Sequence, residues 1–336
     1  MKLTDAGCEP ATLKLDAGPT TFVVTNAGTS RVSEFEVLDG PKIIGEKENV
    51  AAGLSGDFTL TLQPGSYTIA CPGGESAATG ELIVGGDAVA QSSDARLKSA
   101  VTGYASFVKA QAAQLRTRVR SFAAAVKTGD VAEAKSLFAS AREPYERIEP
   151  VAESFGDLDP QIDARVNDVA KGERWTGFHR IEQALWQRDT TRGMRPIADK
   201  LVADVGRLHA KVQRETYQPE QLANGATELL SEVSKSKITG EEDRYSHTDL
   251  WDFEANVAGA AAAFGMLAPA LRARDAELAT DVVARFEAVE RELARIKKGG
   301  RYPSYDTVGT AQRRRFSQRV DALAEPLSQV AAKLHA

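Results

Sequence analysis

The stretch GERWTGFHRIEQALW, Gly172 to Trp186, decides how the larger part of the chain is read. Residues three apart in a helix stand on consecutive turns, so His179 and Glu182 share a face. Trp175, Phe178, Ile181, Leu185 and Trp186 form an apolar stripe beside that pair, not opposite it. This pattern fits a polar site embedded at a helix interface. Imidazole and carboxylate are ligands for iron, zinc or copper. A core histidine bonded to a neighbouring glutamate would satisfy the same spacing. The HExxH pattern, a stronger metal signature, is absent from the sequence.

Outward from this stretch, the chain from Ala95 onward is rich in Ala, Leu, Glu, Lys and Arg, which are strong helix formers. Helices are expected over Leu97 to Thr117, continuing or restarting from Leu115 to Val126, and over 131–149 after a cap at Asp130, bent or broken at Pro144. More are expected over Ile197 to Tyr217, Ala226 to Val233 after a break at Asn224-Gly225, Asn256 to Ala268, Asp275 to Lys298 and Ala311 to Leu334. Gly259 and Gly265 would let the apolar helix 256–268 pack closely in the centre. The run AREPYERIEP, 141–150, puts Arg142, Glu146 and Glu149 at spacings of four and three, so they can share a face. Asp157, Asp159 and Asp163 follow, in positions typical of helix caps. In 241–252 seven of twelve residues are acidic, basic or histidine, yet Tyr245, Leu250 and Trp251 sit among them. A solvated loop rarely has this composition, whereas the wall of a wet pocket does.

The first segment is different. Ala11 to Leu15, Thr21 to Asn26, Glu34 to Leu38, Asp57 to Leu62, Ser66 to Cys71 and Gly80 to Val84 alternate as strands between Gly and Pro turns, which indicates a small β-sandwich. Glu34 and Glu36 fall on one side of a strand, and Glu46 and Glu48 in the loop after it. Cys8, followed by Glu9, and Cys71 are the only cysteines. They could form a disulfide, implying an oxidising compartment, or supply thiolate ligands alongside Glu9 and Glu34, Glu46 or Glu48. No histidine precedes His179, so the sandwich lacks the His, Cys, His set of a blue-copper site.

The 336 residues suggest two domains. With 47 acidic against 42 basic residues the formal net charge is −5, which does not suit nucleic-acid binding. No apolar run reaches the length of a membrane span, and MKLTDAG carries no hydrophobic signal segment. The latter fits either a mature secreted form or a cytoplasmic chain.

Read together, CEP (8–10), ERIEP (146–150), GFHRIEQALW (177–186) and KITGEEDRYSHTDLWDFEAN (237–256) resemble the EfeO-type periplasmic iron-uptake proteins, over essentially the whole chain. The resemblance implies a cupredoxin-like β-sandwich followed by an imelysin-like, also called peptidase-like, helical bundle. It implies a periplasmic iron-binding component working beside an iron permease and a haem-peroxidase-like partner. Copper in the sandwich and a ferrous oxidase role are part of that implication. The family's HxxE element falls on His179 and Glu182, and its Cys–Glu element on Cys8 and Glu9. A carboxylate from Glu149, Glu146 or Glu143, in that order, is expected to complete an iron site, with ferric iron favoured. A zinc peptidase on the same pair would need Asp252 or Glu242 as base. An assembly module without metal is the third reading.

The expected organisation is a sandwich over 1–86, a linker over 87–95 and a helical bundle over 96–336, free to move relative to one another. Limited proteolysis is expected to cut between Gly85 and Ser93. A single resistant core spanning that segment would contradict two separate domains.

Overall fold

The computed structural model describes residues 1–90, 92–169 and 171–335. Its chain folds as a two-sheet β-sandwich followed by an all-helical part, the fold class expected from the sequence. Strands β1 (Lys2–Thr4), β2 (Gly7–Glu9), β4 (Gly18–Asn26) and β7 (Ser55–Leu62) form one sheet in the order β2-β1-β4-β7. Strands β3 (Thr12–Asp16), β5 (Phe35–Asp39), β6 (Lys42–Lys47), β8 (Gly65–Ala70) and β9 (Thr79–Gly85) form the other in the order β3-β9-β8-β5-β6. Alternation sets the faces: Phe22 and Val24 of β4 point inward while Val23 is exposed. Phe22 stacks on Phe58 with ring centroids 5.2 Å apart, and Phe35 leans on both. Strands β1 and β2 escaped the sequence reading because three-residue strands show no period, and β6 because KIIGEK does not alternate. Glu46 accordingly lies within β6, not in a loop.

Cys8 and Cys71 form a buried disulfide, Cα to Cα 5.5 Å, which ties β2 of one sheet to the end of β8 in the other. Of the two readings of this pair the disulfide holds, and the alternative of thiolate metal ligands at Cys8 and Cys71 is corrected, since a disulfide offers no thiolate. Glu9 projects from β2 as an exposed residue that accepts a hydrogen bond from Thr4, and it joins none of the ligand groups found among the described residues.

The helical part opens with α1 (Ala95–Thr128), a single helix with no restart near 115. Asp94 caps it, and Gly129, at φ 87°, ends it. Asp130 then caps α2 (Val131–Glu146) as expected, accepting from the Glu133 N–H. This helix runs through Pro144 and stops two residues later, so 147–149 are not helical as expected, and Glu149 begins a 3-10 segment, Glu149–Phe155. Then come α3 (Leu158–Asp163), α4 (Gly177–Arg188), α5 (Arg195–Val212), α6 (Pro219–Lys235), α7 (Asp249–Arg272), α8 (Ala276–Ile296), α9 (Thr310–Ser328) and the short α10 (Val330–Lys333). Helices α1, α2, α4 and α5 pack into one layer and α6 to α9 into another, and α7 touches α1 and α2 across the seam. Helix α7 is apolar nearly all round, as a central helix must be.

Two glycines close the seam. Gly225 does not break a helix as expected; it lies inside α6, with the Pro150 carbonyl where a Cβ would stand. Gly259 of α7 meets the Arg147 carbonyl in the same way. Gly265, expected to serve close packing, faces open space. The sandwich docks on α6 through polar contacts. Lys47 pairs with Glu228 at 2.6 Å and Asn224 donates to the Thr59 carbonyl at 2.8 Å, while Lys42 pairs at 3.0 Å with Glu215 in the connection before α6.

Gly225→Ala is expected to cost about 1–3 kcal/mol of stability through overpacking. Gly265→Ala should stabilise by roughly 0.5–1 kcal/mol through helix propensity alone. Denaturant melts of the two variants check the contrast, and equal effects would contradict it.

Candidate metal centre

Helix α4 starts at Gly177, not at Gly172, because Gly177 adopts φ 84° and presses on the Ile162 carbonyl where a side chain could not fit. That contact brings His179 against Asp163, the residue after Ile162. Phe178, Ile181 and Leu185 are buried as the stripe predicts, and His179 and Glu182 are buried with them. Trp175 precedes the helix and donates its indole N–H to the Ala164 carbonyl at 2.7 Å.

The 241–252 segment folds onto this helix. The Tyr245 and Ser246 N–H groups donate to Glu182 Oε1 at 2.9 and 2.7 Å, while Glu182 Oε2 lies 2.9 Å from His179 Nδ1. Both Glu182 oxygens are thus engaged. A carboxylate that accepts from Nδ1–H fixes the tautomer and presents Nε2 outward. That nitrogen is buried without a hydrogen-bond partner among the described residues, 3.6 Å from both Asp163 Oδ1 and Glu242 Oε1. One ligand atom each from His179, Asp163 and Glu242 lies within a sphere suited to one ion, and His179, Glu182 and Asp243 form an overlapping group on the Nδ1 side.

Arg142 stands beside them, fully buried, with carboxylates on several sides. Its Nη2 meets Glu146 Oε1 at 2.5 Å and Glu242 Oε1 at 3.1 Å, its Nε meets Asp252 Oδ2 at 3.1 Å, and its Nη1 pairs with Asp163. Lys237 is the second buried cation, 2.5 Å from Glu149 Oε1 and 3.6 Å from Glu146 Oε2. Asn256 donates to Glu146 and Glu149 together. Of the carboxylates expected to complete the set, Glu146 and Glu149 therefore lie in the network but face Arg142, Lys237 and Asn256. Glu143 turns away to Arg118 and Arg147. Asp252 and Glu242 are in the cluster. Asp163, read from the sequence as a cap residue, and Asp243 were missed as ligand candidates. The sequence clue to them was a buried-type basic residue, Arg142, in need of acidic partners.

Glu34, Glu46 and Glu48 come together, with ligand oxygens close enough to share an ion, but in a different place. They line one wall of a cleft of about 410 Å³ between the sandwich and the helical part. The opposite wall carries Glu228, Glu232, Glu149, Asp163 and Glu242, so the cleft runs inward to the His179 cluster. Burial together with the Glu232 and Glu228 charges, partly countered by Arg165, pushes Glu48 up to about 8.

Residues 100–330 match the imelysin family model and residues 1–84 the cupredoxin-like domain model. Over 335 residues, 98% of this chain, the sequence is 42% identical to the iron uptake system component EfeO of Escherichia coli, Shigella flexneri and Shigella sonnei, spanning 89% of each of those chains. The chain belongs to the EfeO family. Within this EfeO-family chain no helix of the described residues is long and apolar enough to cross a membrane.

Burial and the Arg142 charge oppose a charged His179, but Glu182, Glu242 and Asp163 outweigh them and raise it to about 9. Burial, opposed by Arg142, raises Asp163 to about 7. In the metal-free protein, protonation of His179 stabilises the fold fully below its ordinary value of 6.5, and this contribution is lost as pH rises through 9. An ion binding at Nε2 must displace that proton. Manganese(II) affinity is expected to rise about tenfold per pH unit between 7 and 9, more steeply below 7 where Asp163 also carries a proton, and to level off above 9. Calorimetry in buffers of different ionisation enthalpy measures the released protons, and a flat profile between 7 and 9 would contradict the arrangement.

Proposed function

We propose that this chain is the iron-binding component of an iron uptake system. It captures iron through His179 Nε2, Asp163 and Glu242, with Glu182 as the group that orients the imidazole. The observation that carries this reading is the buried Nε2, which has no hydrogen-bond partner and faces two carboxylate oxygens at 3.6 Å. Two hard oxygen donors and one imidazole suit iron, and the ferric state most. The acidic cleft supports an inward route, with Glu34, Glu46 and Glu48 as the first cation stop. Relatives named as iron uptake system components support the cargo.

As the family resemblance implies, the chain works in the periplasm beside an iron permease and a haem-peroxidase-like partner. The sandwich has no histidine and its cysteines are joined, so the imidazole and thiolate donors of a blue-copper redox site are lacking. We therefore assign the sandwich a cleft-forming role and route no oxidation through it. A zinc hydrolase on the same residues would need Glu242 or Asp252 as base, but Glu242 is already a ligand in this reading and Asp252 groups with Glu146 and Glu242 around Arg142, not with the His179 nitrogen. A pure assembly module would leave the unpartnered imidazole nitrogen without a purpose.

Calorimetry with ferric citrate, and with ferrous iron under argon, tests the reading. His179→Ala and Glu242→Gln are expected to abolish measurable binding. Glu182→Gln should weaken it about 10–100-fold, as loss of an orienting partner does. Glu143→Gln and Glu9→Gln should leave it unchanged. Unaltered iron affinity in His179→Ala would refute the site.

A further inference from the structure

Beside the His179 pocket lies a second group of ligand atoms. One oxygen each from Glu146, Glu242 and Asp252 lies within 4.8 Å of the others. All three residues are buried, and Glu242 belongs to both groups. Adjacent cation pockets that share a carboxylate inside a helical bundle are the geometry of two-ion centres. The second pocket already holds a cation, because the Arg142 guanidinium bonds to all three carboxylates. The fit is incomplete. Asp252 Oδ1 is buried with no hydrogen-bond partner among the described residues. A planar fork reaches one oxygen of that carboxylate and leaves the other bare, whereas a spherical ion could take both.

We propose that Arg142 occupies a second metal pocket, formed by Glu146, Glu242 and Asp252, and so limits the centre to one ion. The inference rests on the reading of His179, Asp163 and Glu242 as the first pocket. Arg142 also pairs with Asp163, so its fixed positive charge borders both pockets. It therefore sets selectivity in two ways. It excludes a second ion by occupying the space, and it weakens the hold on the first by like-charge repulsion. A carrier that must hand its cargo on gains from both effects.

The test uses the full chain titrated with manganese(II), with stoichiometry from calorimetry and ion–ion coupling from electron paramagnetic resonance. The wild type is expected to bind one ion with an isolated-ion spectrum. Arg142→Gln should bind two ions with an exchange-coupled spectrum, the first at least about tenfold more tightly than in the wild type. Adding Asp252→Asn to Arg142→Gln should return the count to one, and Arg142→Lys, which keeps the charge, should stay at one. Arg142→Gln with a count no higher than the wild type overturns the proposal, as does a second ion indifferent to Asp252→Asn. Should Arg142→Gln unfold without metal, circular dichroism must record refolding when manganese(II) is added, and a chain that stays unfolded overturns it too. Failure of the first pocket has a separate signature. The wild type then binds nothing, while an ion in Arg142→Gln that is lost with Asp252→Asn and kept with His179→Ala still upholds the second pocket.

Discussion

Everything in the helical part is arranged around the burial of carboxylates in excess of the cations that face them. Arg142 and Lys237 are fully buried, and between them they touch Glu146, Glu149, Asp163, Glu242 and Asp252. An unpaired charge in such a place would be prohibitive, and even a paired one must satisfy its remaining lone pairs. The chain meets this requirement by distributing the donors over several elements. The two cations come from α2 and from the turn after α6, the amide of Asn256 from α7, and the backbone N–H groups from Tyr245 and Ser246. No one helix could hold this charge, so the site forces the two helical layers together at their seam. The glycines at 177, 225 and 259 are where backbone must approach backbone for that to happen.

The sandwich extends the same electrostatics outward. Its contacts with α6 are ion pairs and hydrogen bonds, and the acidic wall of β6 and its flanks meets the acidic wall of the helical part across the cleft. Opposed carboxylates raise one another's proton affinity: burial, then the neighbouring Glu48 and Glu36 charges, push Glu34 well up. A cation between the walls relieves the repulsion that protons otherwise relieve. The disulfide gives the small sheet pair covalent rigidity and removes its two thiolate donors.

What was legible in the sequence follows from which interactions are local. Caps at Asp130, the stripe of Phe178, Ile181 and Leu185, and the period-two alternation of β7 depend on neighbours in the chain, and each was readable. His179 with Glu182 was visible as a polar pair because both sit on one helix. Their roles were not, since the distinction depends on Tyr245 and Ser246 donating to Glu182 from a loop more than sixty residues away. Asp163 looked like a cap because the contact of Gly177 with Ile162 that carries His179 to it is invisible in one dimension. Asn224-Gly225 read as a turn by composition, and packing against Pro150 overrode that signal. The motifs KITGEEDRYSHTDLWDFEAN and GFHRIEQALW supplied by resemblance what spacing alone could not.

The division of labour within the His179–Glu182 pair also decides how such a site can load and unload. A histidine whose Nδ1 is held by a carboxylate keeps one orientation in both states, so only the occupant of Nε2 changes. On the proposed reading, the Nε2 proton of the empty state faces Asp163 and Glu242 across 3.6 Å, and a bound ion would face the same two groups. Proton and metal are then alternatives for one position, and the carboxylates never lose a partner during the exchange. Arg142 keeps one fixed positive charge beside the site throughout, which would weaken the hold on an ion. On the proposed reading, a change in proton availability or a competing ligand at the mouth of the cleft would drive capture and release.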